Sequence, residues 1–201
     1  MIVVFWGSFN PPSIAHIDIL KEIYYKKDGI SKIIIVPVAN EYEKKGLIEF
    51  KHRYNMLKIA TNKYNFIEIC DIEYRQKHSM KTYEVLDYIQ KKYSNEKICF
   101  ILGADNFNYF SKWVNSEYIL RNYKLLVVNR GDYNIENIIK TDDLLQKYRL
   151  NIISVELGDK FKNISSTFIR KNINNIDCLK SYIDMRVLEY IYNNNLYKVD
   201  Y

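Results

Sequence analysis

Short apolar runs recur along the chain, and stretches with a different periodicity separate them. The runs are rich in Ile, Val, Leu and Phe and are mostly continuous rather than alternating, which is typical of strands buried on both faces of a sheet. They cover residues 2–6, 33–38, 66–72, 98–103, 125–129 and 151–156. Between the runs, apolar residues return at helical spacing in residues 14–27, 50–61 and 80–93.

The alternation of strands and helices predicts an α/β protein with a doubly wound, Rossmann-like parallel sheet. Near the C-terminus the pattern changes, and only helical segments follow. We therefore predict one domain over residues 1–201, with an α/β core over 1–163 and a small helical section over 164–201. Residues 38–46 and 74–79 are predicted to be loops.

Composition narrows the class of protein only a little. The 201 residues are 48% hydrophobic, which is enough for a substantial core, and the net charge is +6. That charge suits an anionic ligand, but it also follows from the general abundance of lysine. The three cysteines show no spacing typical of zinc sites. With no signal peptide and no apolar run of about 20 residues, we expect a reduced, cytoplasmic protein without a membrane span.

The end of the first predicted strand carries candidate chemistry. Gly7 and Ser8 close the strand, and Ser13 follows Pro12 as a candidate N-cap of the next helix. The N-terminus of a helix attracts anions, and glycine allows a backbone to approach a phosphate closely. His16 lies three residues past the cap, within reach of the same anion. The stretch predicts a phosphate-binding corner, although it does not match the P-loop pattern.

A second candidate anion site lies near the C-terminus. Ser165, Ser166 and Thr167 begin a predicted helix, and Arg170 follows one turn later. Hydroxyl groups and free N–H groups at a helix start accept an anion, and a guanidinium binds phosphate oxygens in a fork.

Both segments match motifs of a known superfamily. Residues 7–16, GSFNPPSIAH, resemble the (G/S)xFxPxHxGH motif of the nucleotidylyltransferases, and residues 163–170, NISSTFIR, resemble their ISSTxIR motif. Further segments are similar to the nicotinamide/nicotinate mononucleotide adenylyltransferases, so the resemblance covers nearly the whole chain. These segments are residues 36–60, 81–86, 102–113 and 188–197.

The resemblance implies a reaction between ATP and nicotinamide or nicotinate mononucleotide that gives NAD or deamido-NAD and pyrophosphate. The attacking 5′-phosphate is already an anion, so the protein has to position the substrates and stabilise charge rather than supply a base. Mg²⁺ is implied as a cofactor carried on the ATP phosphates, with no metal site of the protein's own. Neither a nucleic acid nor a membrane is an expected partner.

The resemblance also assigns roles to individual residues. The implied catalytic residues are His16, Lys44 and Arg170. The implied ATP and phosphate contacts are Gly7, Ser8, Phe9, Ser13, Gly103, Asp105, Ser165, Ser166 and Thr167. The implied mononucleotide contacts are Ser8, Phe9, Thr82 and Trp113. For Ser13 and Thr82 a helix N-cap is an equal alternative, and for Trp113 the alternative is a place in the core. His52 and Arg53 are assigned to structure.

Three positions depart from the family pattern. Ser13 and Ala15 replace the first His and the Gly of HxGH, and Ser79 replaces a Trp that flanks the pyridine ring in eukaryotic-type members. Two alternatives therefore remain: a superfamily member with another nucleotide or acceptor, and a degenerate homologue that only binds a dinucleotide. A single-stranded nucleic-acid binder is disfavoured, because the tyrosines are not interleaved with Lys and Arg in one segment. The sequence leaves open the choice between the two mononucleotides and the formation of a homo-oligomer.

Overall fold

A six-stranded parallel sheet is the centre of the computed structural model, which describes residues 1–129, 133–157, 161 and 164–197. The strands are β1 (Ile2–Gly7), β2 (Lys32–Pro37), β3 (Ile67–Ile69), β4 (Ile98–Gly103), β5 (Lys124–Asn129) and β6 (Ile152–Glu156). Their order in the sheet is β3-β2-β1-β4-β5-β6. Strands β2 and β3 follow on one side of β1, and strands β4 to β6 follow on the other side, so the switch point lies between β1 and β4. The predicted doubly wound, Rossmann-like α/β fold is therefore confirmed.

Helices connect the strands. They are α1 (Ile14–Lys26), α2 (Phe50–Thr61), α3 (Ile72–Gln76), α4 (Thr82–Lys92), α5 (Ala104–Phe107), α6 (Ser116–Asn122), α7 (Ile135–Lys140), α8 (Asp143–Lys147), α9 (Ser166–Lys171), α10 (Ile176–Leu179) and α11 (Met185–Asn193). Short 3₁₀ turns cover Phe110–Lys112 and Arg149–Asn151. Across the described ranges, none of the helices combines the length and apolar character that crossing a bilayer requires.

The chain divides into two compact units. Unit 1 consists of Met1–Trp6, Gly29–Ile34 and Met80–Lys162, and unit 2 consists of Gly7–Asp28, Ile35–Ser79 and Asn163–Tyr201. The helices of the C-terminal section, α9 to α11, therefore share a unit with α1 and α2.

Unit 1 is organised around β4 and β5. Both strands are parallel to their neighbours, with Phe100 opposite Leu125 and Leu125 opposite Ile152. Their side chains are buried almost throughout, which explains the continuous apolar runs in the sequence. On α4, Val85 and Ile89 recur four residues apart on one buried face.

In unit 2, the C-terminal helices bury an apolar cluster. Met56 of α2 packs in one core with Ile169 of α9 and with Leu188 and Ile191 of α11. Ile17 of α1 belongs to the same cluster. This core joins the segment that follows β1 to the last helices of the chain, and it positions the two motif segments.

The structure corrects the sequence prediction at several places. The predicted loop over 74–79 was wrong at Tyr74–Gln76, which belong to α3. The strand predicted over 66–72 is only three residues long. Helices α5 to α8 were not predicted, because each has at most two turns and shows too little periodicity to be recognised.

Candidate functional site

The corner between β1 and α1, residues 7–13, has an unusual backbone. Phe9 is buried and adopts a left-handed conformation with φ 46°, and the Asn10–Pro11 peptide is cis. The ring of Phe9 lies directly over Gly7, where an added Cβ atom would meet it at 3.4 Å. A Cβ at position 7 would lie in van der Waals contact with the ring, so the Phe9 ring closes over the end of β1.

His16 and Ser13 form a capping box at the start of α1, in which each side chain is bonded to the backbone of the other residue. Ser13 is the N-cap residue, and its backbone N–H donates to Nδ1 of His16 over 2.9 Å. The Ser13 hydroxyl lies 2.7 Å from the same Nδ1. A backbone N–H can only donate, so in the neutral ring Nδ1 is the acceptor and the ring proton lies on Nε2. The ring also meets Phe9 edge to face, with centroids 5.4 Å apart. Ser13 is therefore a helix cap, and it fixes the orientation and tautomer of the imidazole.

Lys44 and Arg170 both reach the corner from distant parts of the sequence. The Lys44 ammonium donates to the Ser8 hydroxyl over 2.9 Å, and Nη1 of Arg170 donates to the Asn10 carbonyl over 2.7 Å. Within the described residues, no carboxylate lies within ion-pair distance of either cation. Burial and the charges of Arg170 and Arg53 lower the pKa of Lys44. The corner is therefore strongly electropositive.

Arg53 lies beneath the corner and is fully buried. Its guanidinium donates to three backbone carbonyls: those of Ile48 at 2.9 Å, Ser8 at 3.2 Å and Ala39 at 3.3 Å. Desolvation lowers its pKa to about 10, partly offset by electrostatic interactions with Tyr197 and Glu73. Since its donors are directed at the backbone, Arg53 ties the loop after β1 to both ends of the loop between β2 and α2, in line with its assignment to structure. We call residues 7–13 with Lys44, Arg53 and Arg170 the basic corner.

The C-terminal motif contacts the same corner. Ser165 caps α9 by accepting from the Phe168 N–H over 3.1 Å. The Ser166 hydroxyl donates to the Pro11 carbonyl over 2.8 Å, across 155 residues of sequence. Thr167 accepts from Nη2 of Arg170 over 3.3 Å. The two motif segments are thus joined within unit 2.

The remaining candidate residues belong to unit 1. Gly103 ends β4, and Asp105 is exposed on α5. Trp113 is half-buried against Phe110, with ring centroids 5.3 Å apart. Thr82 is buried at the first position of α4, and the N-cap position belongs to Lys81. The N-cap alternative for Thr82 was therefore wrong.

The two other histidines do not contribute to the corner. Nδ1 of His52 lies 3.0 Å from the Tyr190 hydroxyl, a contact between α2 and α11. His78 is bonded to the Gln76 carbonyl.

Two residues that sequence reasoning did not single out complete the basic corner. Asn10 is fully buried, and Tyr197 bonds to its side chain from the far end of the chain. Both lie inside segments that resemble the family, but neither has a residue type or a spacing that indicates phosphate chemistry. Only their contact in the structure distinguishes them.

The donor set of the basic corner suits phosphate rather than a metal ion. Its side chains are cations and hydroxyl groups, whereas Mg²⁺ prefers carboxylate oxygens. Among the described residues, no group of three or more His, Cys, Asp or Glu side chains is arranged to hold a metal.

Comparison with known proteins gives a consistent family. Residues 4–172 match the cytidylyltransferase-like family model. A protein from Acholeplasma laidlawii, named a probable nicotinate-nucleotide adenylyltransferase, is 34% identical over 200 residues, which is 98% of each chain. Nicotinic acid mononucleotide adenylyltransferase from Plasmodium falciparum, solved in complex with NaAD, aligns with a TM-score of 0.80 and 27% identity. That alignment covers 98% of this chain and 96% of the other, and a second structure of the enzyme, complexed with APC, gives a TM-score of 0.78 and 26% identity over the same shares.

Proposed function

The chain belongs to the nicotinate-nucleotide adenylyltransferases of the cytidylyltransferase-like family, and from this membership we propose that it joins ATP to nicotinate mononucleotide. The products are deamido-NAD and pyrophosphate, and the reaction serves NAD biosynthesis. The preference for nicotinate over nicotinamide is supported by the names of the relatives, which specify nicotinate.

One observation carries the proposal. Lys44 and Arg170 meet at the corner after β1 without a carboxylate partner among the described residues. Because no carboxylate among the described residues neutralises them, these two cations can bind an anionic ligand such as a triphosphate. His16 stands at the same corner, in an orientation fixed by Ser13.

In the proposed reaction, an oxygen of the mononucleotide 5′-phosphate attacks the α-phosphorus of ATP in line. The new P–O bond forms as the bond from the α-phosphorus to its bridging oxygen breaks, and pyrophosphate leaves with that electron pair. His16 donates its Nε2 proton as a hydrogen bond to the phosphate oxygens, where negative charge develops. Lys44 and Arg170 hold the β- and γ-phosphates. No covalent intermediate is required.

We propose further contacts for the remaining candidates. The proposed contacts of the mononucleotide phosphate are Gly7, Ser8 and Phe9. The ATP phosphates that Arg170 holds are proposed to be contacted also by Ser165, Ser166 and Thr167. In unit 1, Gly103 and Asp105 are proposed to receive the ATP ribose, because a carboxylate accepts hydrogen bonds from hydroxyl groups. Thr82 and Trp113 are proposed to contact the pyridine nucleotide.

The proposed cofactor and compartment follow from the same chemistry. Mg²⁺ would be held by the phosphates of ATP rather than by the basic corner, which offers no carboxylate set, and it would supply partial neutralisation of the triphosphate charge. Cys70, Cys99 and Cys178 form no disulfide with one another. Cysteines that stay reduced suit a reducing compartment, so we propose that the reaction takes place in the cytoplasm.

The test is a direct comparison of substrates. Purified protein is incubated with ATP and either nicotinate or nicotinamide mononucleotide, and release of pyrophosphate and formation of dinucleotide are followed. We expect product with nicotinate mononucleotide at the higher kcat/KM. Turnover of CTP with another phosphorylated acceptor, in the absence of both expected products, would contradict the proposal.

The His16→Ala variant tests the proposed role of the imidazole. Loss of one such donor typically lowers kcat by about 100- to 1000-fold. The matched control is His78→Ala, which removes an exposed histidine bonded only to its own loop and is expected to leave turnover unchanged. Full activity of a folded His16→Ala variant would exclude this role, and a dinucleotide that binds without turnover would indicate a degenerate homologue.

A further inference from the structure

The Asn10 side chain joins the corner to the loop that carries Lys44. Its Nδ2 donates to the Gly46 carbonyl over 2.8 Å, and its Oδ1 lies 3.5 Å from the Ile48 N–H. Its own carbonyl accepts from Arg170. A single buried residue therefore contacts both the loop that carries Lys44 and the Arg170 guanidinium. The position of the Asn10 amide is thus coupled to that of the loop.

The direction of these hydrogen bonds follows from their partners. The Gly46 carbonyl can only accept, so the Asn10 amide nitrogen must face it. Its oxygen then faces Tyr197, whose hydroxyl lies 2.7 Å away and must be the donor. Burial raises the pKa of Tyr197, against the opposing charges of Arg170 and Arg53, so the hydroxyl keeps its proton. Tyr197 supplies the shorter of the two bonds to Oδ1.

The end of α11 directs Tyr197 inward. Asn195 and Tyr197 both have positive φ, at 51° and 61°, and the Leu196 N–H bonds back to the Ile191 carbonyl over 3.0 Å. Leu196 packs against the apolar cluster of unit 2. This turn reverses the chain after α11 and brings residue 197 to residue 10, across 187 positions of sequence.

We infer that Tyr197 is a positioning residue for adenylyl transfer, which acts through Asn10 to hold the Lys44 loop against the phosphates. This inference rests on the proposed function. Without the hydroxyl, Oδ1 of Asn10 retains only the long contact with the Ile48 N–H, and the amide is fixed chiefly by its Nδ2 bond to the Gly46 carbonyl. The Lys44 loop is then positioned less firmly against the corner, although no residue that touches a substrate has changed.

The test is a double-mutant cycle between Tyr197→Phe and Lys44→Ala, read as kcat/KM for ATP. Losing one partner of a buried polar group is expected to lower this value by about tenfold in the wild-type background. In the Lys44→Ala background the same change is expected to cost less than about twofold, because no ammonium remains to be positioned. A purely structural tyrosine would cost the same in both backgrounds.

Tyr192→Phe is the matched control. This tyrosine lies on α11, just before the turn that carries Tyr197, and it bonds the Ile173 carbonyl, so the variant loses a tyrosine hydrogen bond without touching Asn10. We expect its kcat/KM to stay at the wild-type value. If Tyr197→Phe does not fold, Asn10→Ala removes the same bond together with the Gly46 contact and should show at least the same coupling to Lys44→Ala.

The outcomes separate the two proposals. Equal losses in both backgrounds, or no loss for a folded Tyr197→Phe variant, would overturn the role of Tyr197 while wild-type turnover stands. A wild-type protein that makes no dinucleotide from ATP and either mononucleotide would instead overturn the proposed function.

Discussion

Two groups of basic side chains in this protein are held in opposite ways. In unit 1, Lys147 lies 2.7 Å from Glu117, and Arg149 lies 2.6 Å from Glu136. In unit 2, Lys44 and Arg170 bond to a serine hydroxyl and a backbone carbonyl. The first group is neutralised within the folded chain, and the second is not.

The pKa directions show the same contrast. The hydrogen bond and charge of Glu117 raise the pKa of Lys147, whereas burial and two neighbouring guanidinium groups lower the pKa of Lys44. An ion-paired surface lysine retains its proton to a higher pH. Exposed ion pairs of this kind nevertheless contribute little to the stability of the fold. A lysine among other cations is stabilised only when an anion arrives. This difference identifies a ligand site more clearly than the net charge does.

The largest expected effect concerns Arg53, which gives the basic corner its shape. Arg53→Ala leaves the carbonyls of Ile48, Ser8 and Ala39 without their buried donor. Because an orphaned buried polar group costs about 1–3 kcal/mol, we expect the free energy of unfolding to fall by roughly 3–5 kcal/mol. Denaturant unfolding measures it. A loss below about 1 kcal/mol would show that water replaces the guanidinium and that Arg53 does not hold these loops.

Arg170→Ala tests whether an unpaired arginine serves a ligand. We expect kcat/KM for ATP to fall by about 100-fold, since a forked charge-assisted contact to phosphate is lost. Arg170→Lys should recover only part of it, because an ammonium cannot form the fork. Arg149→Ala, which removes an arginine already paired with Glu136, is the control and should change kcat/KM by less than about twofold. Equal losses in the two alanine variants would remove the contrast between the two groups.

The pH dependence of ATP binding tests the state of Lys44. Its pKa lies below the ordinary lysine value, so the neutral form appears at a lower pH than in an exposed lysine. Deprotonation removes a phosphate contact, and affinity for ATP should fall as pH rises. We expect the Kd to begin to increase at a lower pH than the deprotonation of an exposed lysine would produce. Lys44→Arg stays charged throughout and should give a much flatter profile; a profile identical to that of wild type would mean that another group titrates.

The smallest expected effect is that of Glu117→Gln. This change leaves Lys147 and Arg121 without their carboxylate, but all three side chains are largely exposed and solvated. Exposed ion pairs typically contribute little to stability, so the denaturation midpoint and kcat/KM should both stay at wild-type values. A marked drop in the midpoint would show instead that the ion pairs of Glu117 contribute substantially to the stability of unit 1.

Much of the sheet could be predicted from local pattern. Each of the six apolar runs overlaps a strand, and α1, α2 and α4 start within two residues of the predicted positions. The prediction was poorest where an element is short. β3 has only three residues, and helices such as α5 have too few turns for a period of 3.6 to be visible. Such elements are stabilised by packing rather than by their own sequence.

The site also contains some residues that local spacing indicates and others that only the folded chain brings together. His16 with its Ser13 cap depends on residues three apart, so sequence spacing was enough to propose it. The place of Arg53 beneath the corner depends on three carbonyls from two loops, and no spacing indicates such a contact. Asn10 and Tyr197 look like an ordinary turn residue and an ordinary tyrosine until the chain is folded.

By itself, the sequence determined the strand–helix alternation, the two motif segments and the excess of positive charge, because these depend on residue type and on neighbours a few positions away. Only the tertiary structure decided which cations keep their charge unpaired and which tyrosine reaches the corner after β1. Those outcomes depend on contacts between segments up to 187 residues apart. Burial and hydrogen-bond geometry select such contacts, and a linear pattern carries neither.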